Sequence, residues 1–243
     1  MSLVKGVQIM ILDKKKIEQE KEKILNFLLS NKEHYNSLEF FNIFSKFYLD
    51  IFNDIEKEAI FCNYSQILSK YNIIKEEFDI YLKVYNLLES KGFIKGNILE
   101  VGCGIYPRLA EIITERHKEK DYSLTLYDTC NIFNISDSIS LVRDKFTKST
   151  NIDRYDTLVG IHPCEASIDL TLKGIEENKN LIVAFCGCNH ETVEFPKWYD
   201  DSWSISFCSD IKDRYGDIIE IIDFEDYPKR KLPILIHRKR ISR

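Results

Sequence analysis

Glycine and proline are scarce in this chain: nine and five in 243 residues, with none between Gly6 and Gly92. The residues that break regular structure are thus missing from the first third, which leaves little room there for a turn-dense β fold and favours helices. No apolar run reaches the roughly 18 residues that a membrane-spanning helix needs. A secretory leader pattern is lacking too, since Lys14, Lys15 and Lys16 follow the first apolar residues instead of preceding them. Seven cysteines is an odd number, unsuited to a closed disulfide framework. They are expected to be reduced thiols in a cytoplasmic protein. Positive charge is not in excess: the formal net charge is −5 and the pI about 5.7. That removes a global electrostatic footprint for nucleic acid. Internal repeats and low-complexity tracts are absent, and no stretch reads as a flexible linker.

What is present divides in two. Residues 1–95 read as an all-helical accessory domain, and residues 96–243 as an α/β domain. In the first part, Ile17, Ile24, Phe27 and Leu28 recur at roughly helical spacing. Phe40, Phe41, Phe44, Phe47, Tyr48 and Phe52 do the same, which fits a packed helical core or an aromatic base-stacking surface. A further helix is expected over Asp54 to Tyr71. Asn72 could cap the next, which carries Phe78, Tyr81, Leu82, Tyr85 and Leu88 on one face and stops at Gly92.

The stretch from Asn97 to Ala110 is the informative one. Ile98, Leu99 and Val101 read as a short, doubly buried parallel strand. Gly102 and Gly104 permit a tight turn in which backbone approaches a ligand closely. Pro107 fits the first turn of a helix running through Leu109, Ile112 and Ile113 towards Lys120. Strand, glycine turn and helix N-terminus together suit an anionic or carboxylate-bearing ligand. The dinucleotide fingerprint requires a third glycine for close helix–strand packing. Pro107 occupies that position, which argues against NAD or FAD.

Glu100-x-Gly102-x-Gly104 after a strand resembles motif I of the class I S-adenosylmethionine (SAM)-dependent methyltransferases. That resemblance implies a mostly parallel Rossmann-like sheet ending in an antiparallel hairpin, with SAM as the cofactor. It implies that Gly102, Cys103 and Gly104 turn around the methionine part of SAM, and that Glu100 positions its amino group or the loop. The second strand is expected from Ser123 to Tyr127. Asp128 at its end could accept hydrogen bonds from both ribose hydroxyls, or could be a helix-capping or turn aspartate. A third strand is expected over Ile139 to Val142. After it, Asp144 is either a contact to the adenine amino group or a solvated loop aspartate.

The fourth strand, Thr157 to Ile161, leads into His162-Pro163-Cys164-Glu165, and a helix follows through Leu170, Leu172 and Ile175. The fifth, Leu181 to Phe185, leads into Cys186-Gly187-Cys188-Asn189-His190. In a doubly wound sheet these two strands are neighbours, and their carboxyl ends line the ligand crevice. His162, Cys164 and Glu165 are therefore catalytic candidates, with His162 as the acid/base group. Cys164 could alternatively be a thiolate nucleophile towards a pyrimidine, with Glu165 or His162 handling protons. Cys164, Cys186, Cys188 and His190 could instead hold zinc, or the cysteines could be small apolar packers at strand ends. His162, Cys164, Asp169, Leu170, Cys188 and His190 match segments in methyltransferase domains related to a group of tRNA 2′-O-methyltransferases. The match departs at Glu165, where that family has glycine. Gly102, Cys103, Gly104, Pro107 and Ala110 also resemble the aminoglycoside-resistance ribosomal RNA methyltransferases.

Towards the end, Asp217 to Phe224 and Leu232 to His237 read as the closing strand pair. Trp198, Tyr199 and Trp203 between strands five and six are either a pocket lid or a cover for the sheet. Lys229-Arg230-Lys231 and Arg238-Lys239-Arg240 form the one dense basic cluster, a solvated strand end or an RNA-phosphate contact. The expected activity is methyl transfer from SAM to an acceptor that is RNA or a small molecule. The alternatives are a SAM- or nucleotide-binding regulator of the same fold and a Cys/His metal-binding protein. Oligomeric state is not legible in the sequence.

Overall fold

A computed structural model describes residues 76–186 apart from positions 105, 120, 130–135 and 137, then residues 202–226 and 230–240, together with Gln66, Ser69 and Lys70. The chain divides into two compact units, Met1–Tyr64 and Ser65–Arg243, and all described residues belong to the second. The helices expected before Ser65, and the expected cap Asn72, lie outside the described residues.

Seven strands form one sheet: β1 (Gly96–Val101), β2 (Tyr122–Tyr127), β3 (Ile139–Val142), β4 (Thr157–Ile161), β5 (Asn180–Ala184), β6 (Ile219–Asp226) and β7 (Arg230–His237). Their order is β3-β2-β1-β4-β5-β7-β6. Strands β1 to β5 are parallel, β7 runs antiparallel to β5, and β6 antiparallel to β7. The mostly parallel sheet with a C-terminal antiparallel hairpin is therefore the architecture observed, and each expected strand lies within two residues of its place. Chain order reverses between β1 and β4, so the crevice of this sheet falls at their carboxyl ends.

Four helices are described from end to end, α1 (Ile80–Lys91), α2 (Arg108–Arg116), α3 (Ser167–Glu176) and α4 (Ser202–Tyr215), and Gln66, Ser69 and Lys70 are helical as well. Period-two alternation along each strand divides the apolar side chains between two faces. Ile98, Leu124, Leu126, Val159 and Ile161 pack with Tyr81, Val84, Leu88, Leu109 and Ile113 of α1 and α2. Leu99, Val101, Leu158, Leu181 and Val183 pack with Leu170, Ile175, Cys208 and Ile211 of α3 and α4. Burial on both faces explains why the strands read as continuous apolar runs. The β3-to-β4 crossover contains no helix; Phe146, Ile152 and Tyr155 cover that part of the sheet instead.

Helix ends follow local chemistry. Asp79 caps α1, its carboxylate accepting from the N–H groups of Tyr81 at 2.9 Å and Leu82 at 3.2 Å. Gly92 ends α1 in the left-handed conformation with φ 68°. Pro107 stands at the N-cap of α2, one position before the first turn, and α2 stops at Arg116, short of Lys120. The run from His117 to Asp121 is almost wholly charged, so it offers no apolar face to continue the helix. The outer strand β6 turns Glu220, Asp223 and Glu225 to solvent, a charged edge that discourages strand addition. No helix among the described residues is long and apolar enough to cross a membrane.

Candidate active site at the carboxyl edge of the sheet

The first component is the turn after β1. Gly102 and Gly104 have φ of 70° and 66°, values that side-chain-bearing residues rarely adopt. The Gly102 N–H donates to the Tyr127 carbonyl at 2.9 Å, extending the β1–β2 ladder by one bond. The Gly104 N–H donates to the Asp128 carboxylate at 2.7 Å. Asp128 is thus half-buried at the end of β2, with one oxygen tied to the glycine turn. Neighbouring parallel strands in register bring these two points together.

Glu100 lies under this turn. It is 1% exposed, faces α2, and accepts a hydrogen bond from the Ala110 N–H. Its other carboxyl oxygen is buried without a partner. Burial, then the nearby negative charges of Asp128 and Glu111, push its pKa up to about 8. A buried carboxyl beside a second carboxylate is held neutral in this way.

The second component is the end of β4. His162 and Cys164, which are not glycines, both adopt positive φ, 51° and 48°. Such strain persists only where surrounding contacts impose it. Pro163 supplies those contacts. A Cβ on Gly102 would stand 2.7 Å from the Pro163 Cα, and a Cβ on Gly160 would stand 2.9 Å from the Pro163 Cγ. The proline ring therefore wedges between two glycines and presses the His162–Cys164 turn against the β1 turn. The His162 N–H continues the β4–β5 ladder to the Ala184 carbonyl at 2.8 Å. Glu165 points outward, pairing with Lys145 at 2.7 Å, each side chain 66% exposed. The Glu165 carboxylate raises the pKa of the Lys145 ammonium by hydrogen bond and charge.

Asp144, at the end of β3, is exposed. It accepts from the Tyr127 hydroxyl at 3.3 Å and from the Lys145 N–H at 2.7 Å. Cys103 is buried within the turn, Cys186 is buried at the end of β5 and Cys164 is half-buried. Cys188 and His190 lie outside the described residues, as do Trp198 and Tyr199. Trp203 packs edge-on against Phe185, with ring centres 5.9 Å apart, so it covers the sheet beyond β5. Among the described residues the one His/Cys/Asp/Glu grouping with ligand atoms within 4.8 Å of one another is His117, Glu119 and Asp121, after α2 and away from these strand ends. The basic cluster is divided by the antiparallel course of β7. Lys231, the second residue of that strand, lies beyond the carboxyl end of β5, whereas Arg238 follows His237, which pairs with Leu181 near the start of β5. Arg238 stacks on Phe93 at 5.8 Å, and Lys239 lies 3.7 Å from Asp156.

One buried contact of the glycine turn is not legible in the sequence. The Gln66 amide, 2% exposed, donates to the Cys103 carbonyl at 2.5 Å and accepts from the Tyr106 N–H at 3.2 Å. Ser69 and Lys70 follow on the same helix face. Ser69 donates to Asp79 at 2.6 Å and accepts from Arg108 at 3.0 Å, and Lys70 pairs with Glu111. A glutamine between Ser65 and Ile67 carries no spacing signal; only its burial marks it.

No family model and no curated protein matches this chain. Solved structures do. The carbon methyltransferase CurJ is 10% identical, with 93% of this chain and 70% of that one covered, at a TM-score of 0.48. The plantazolicin methyltransferase BpumL, in complex with a triazolic desmethylPZN analog and SAH, is 13% identical over 91% and 100%, at 0.45. The 23S rRNA methyltransferase ErmE is 14% identical over 66% and 68%, at 0.40. These likenesses are distant. The strand order of the sheet and its antiparallel β6–β7 hairpin give this chain the sheet architecture expected from its resemblance to class I methyltransferases.

Proposed function

We propose that this chain is a SAM-dependent methyltransferase whose cofactor site is the carboxyl edge of β1, β2 and β4. The observation that carries the reading is the coupling of Asp128 to the glycine turn: its carboxylate, at the end of β2, accepts from the Gly104 N–H at 2.7 Å. A carboxylate there suits a ribose diol. The donor set fits the cofactor: Gly102, Cys103 and Gly104 offer backbone close to the methionine part, and Glu100 places a buried carboxyl beneath it. Asp144 is the adenine candidate at the end of β3. SAM supplies an electrophilic methyl sulfonium, so the protein's part is alignment of the acceptor more than bond-making. His162 is the acid/base candidate that takes the proton leaving the acceptor atom as the methyl arrives. Cys164 lies in the same turn, while Glu165 faces solvent with Lys145. The acceptor is an RNA or a small molecule.

Calorimetric titration with S-adenosylhomocysteine (SAH) tests this. Wild type is expected to bind in the micromolar range, and Asp128→Ala to lose about tenfold or more, roughly 1.4 kcal/mol. Absence of binding by the folded wild type would overturn the methyltransferase reading.

A further inference from the structure

The turn that the proposed function assigns to the cofactor is gripped from outside the sheet. Gln66 bonds both sides of it, the Cys103 carbonyl at 2.5 Å and the Tyr106 N–H at 3.2 Å. These backbone groups belong to a segment that is neither strand nor helix. The amide matches them because it carries one acceptor and two donors on a planar group. Burial at 2% exposure removes water as a substitute partner. The contacts around Gln66 reinforce the grip. Lys70 lies over the Tyr106 ring, 5.2 Å from its centre, and pairs with Glu111 on α2. Ser69 joins Arg108, the first residue of α2, to Asp79, the cap of α1. Gln66, Ser69 and Lys70 are spaced i, i+3 and i+4, so one helical face meets the segment from Cys103 to Glu111.

We propose that Gln66 is a positioning residue for the cofactor turn: its side-chain amide latches Cys103 to Tyr106 and thereby holds the Gly102–Gly104 backbone ready for the cofactor. It acts through the turn and touches no reacting atom. The latch rests on the cofactor reading above for its functional consequence, and on the hydrogen bonds alone for its mechanical one. A preformed turn binds more tightly than one that must be ordered on binding. Gln66 thus contributes to SAM affinity without a ligand contact of its own.

Two variants of the full chain test this. Gln66→Met keeps the length and packing of the side chain but can replace neither hydrogen bond. Gln66→Glu, once ionised at alkaline pH, keeps an acceptor for the Tyr106 N–H and loses the donor to Cys103. For Gln66→Met the expected results are an SAH Kd raised about tenfold and faster amide exchange at Tyr106. The melting temperature should fall as well, by several degrees, since two buried backbone groups lose a partner. Gln66→Glu is expected to keep the Tyr106 amide protected while binding SAH more weakly than wild type. If Gln66→Met binds SAH as wild type does, or leaves Tyr106 exchange unchanged, the latch is overturned. If wild type itself fails to bind SAH, the cofactor reading falls, and Tyr106 exchange still decides whether Gln66 holds the turn.

Discussion

Glu100 shows how one residue joins the stability of the fold to its site. Its pKa is raised from an ordinary 4.5 to about 8, first by burial and then by Asp128 and Glu111. Between those two values the folded protein holds a proton that the unfolded chain has released, so stability falls as pH rises. The contribution is complete below about 4.5 and is lost as pH climbs through about 8, a change on the order of a few kcal/mol. Glu100→Gln cannot ionise and keeps the shape. Urea denaturation between about pH 6 and pH 9 should therefore show wild type losing stability relative to Glu100→Gln. Parallel profiles would mean that Glu100 is not held neutral. Asp128 was legible as a ribose candidate from its place after β2, and its bond to Gly104 was not. Sequence spacing places two strand ends, whereas the register between them sets which backbone N–H the carboxylate meets.

At the scale of elements, caps and turns decide more than propensity. Asp79 serves α1 twice, by accepting from the Tyr81 and Leu82 N–H groups and by receiving the Ser69 hydroxyl. Asp79→Ala is expected to destabilise the protein by about 1–2 kcal/mol, and Asp79→Asn, which keeps an acceptor, by less. Chemical denaturation reads both, and equal losses would show that the carboxylate charge, and not a neutral acceptor of the same shape, is what the cap supplies. The end of α1 at Gly92 was legible, because a glycine after an apolar periodicity has few other uses. The strain at His162 and Cys164 was not. It accompanies the packing of Pro163 on Gly102, a contact between strand ends about 60 residues apart in sequence that no local pattern encodes.

At the scale of the whole molecule, the position of α1 matters most. Its Ile80, Tyr81, Val84, Tyr85 and Leu88 are buried in the same core as Ile98, Leu124 and Val159 of the sheet. A change in secondary-structure pattern near residue 95 marks where strands begin. The compact unit that contains the sheet begins at Ser65. A fragment of residues 65–243 is therefore expected to unfold in one cooperative transition followed by circular dichroism. A fragment of residues 96–243 exposes the apolar face that α1 covers and is expected to aggregate or melt without cooperativity. Equal cooperativity of the two fragments would show that α1 is dispensable to the core.

The amino-acid sequence by itself determined the alternation of strands and helices after Gly96, the glycine turn with Glu100 before it, and the grouping of Asp128 and His162 at strand ends. These are local patterns of period, turn chemistry and spacing, and they survive without knowledge of neighbours. Only the tertiary structure decided that Gln66 bonds the turn, that Pro163 locks it against β4, that Glu165 faces Lys145 in solvent, and that the basic C-terminal residues divide between opposite ends of the sheet. Each of those depends on which distant backbone comes to lie within a few ångströms. That is set by packing of the whole sheet and its helices, and no short stretch of chain contains it.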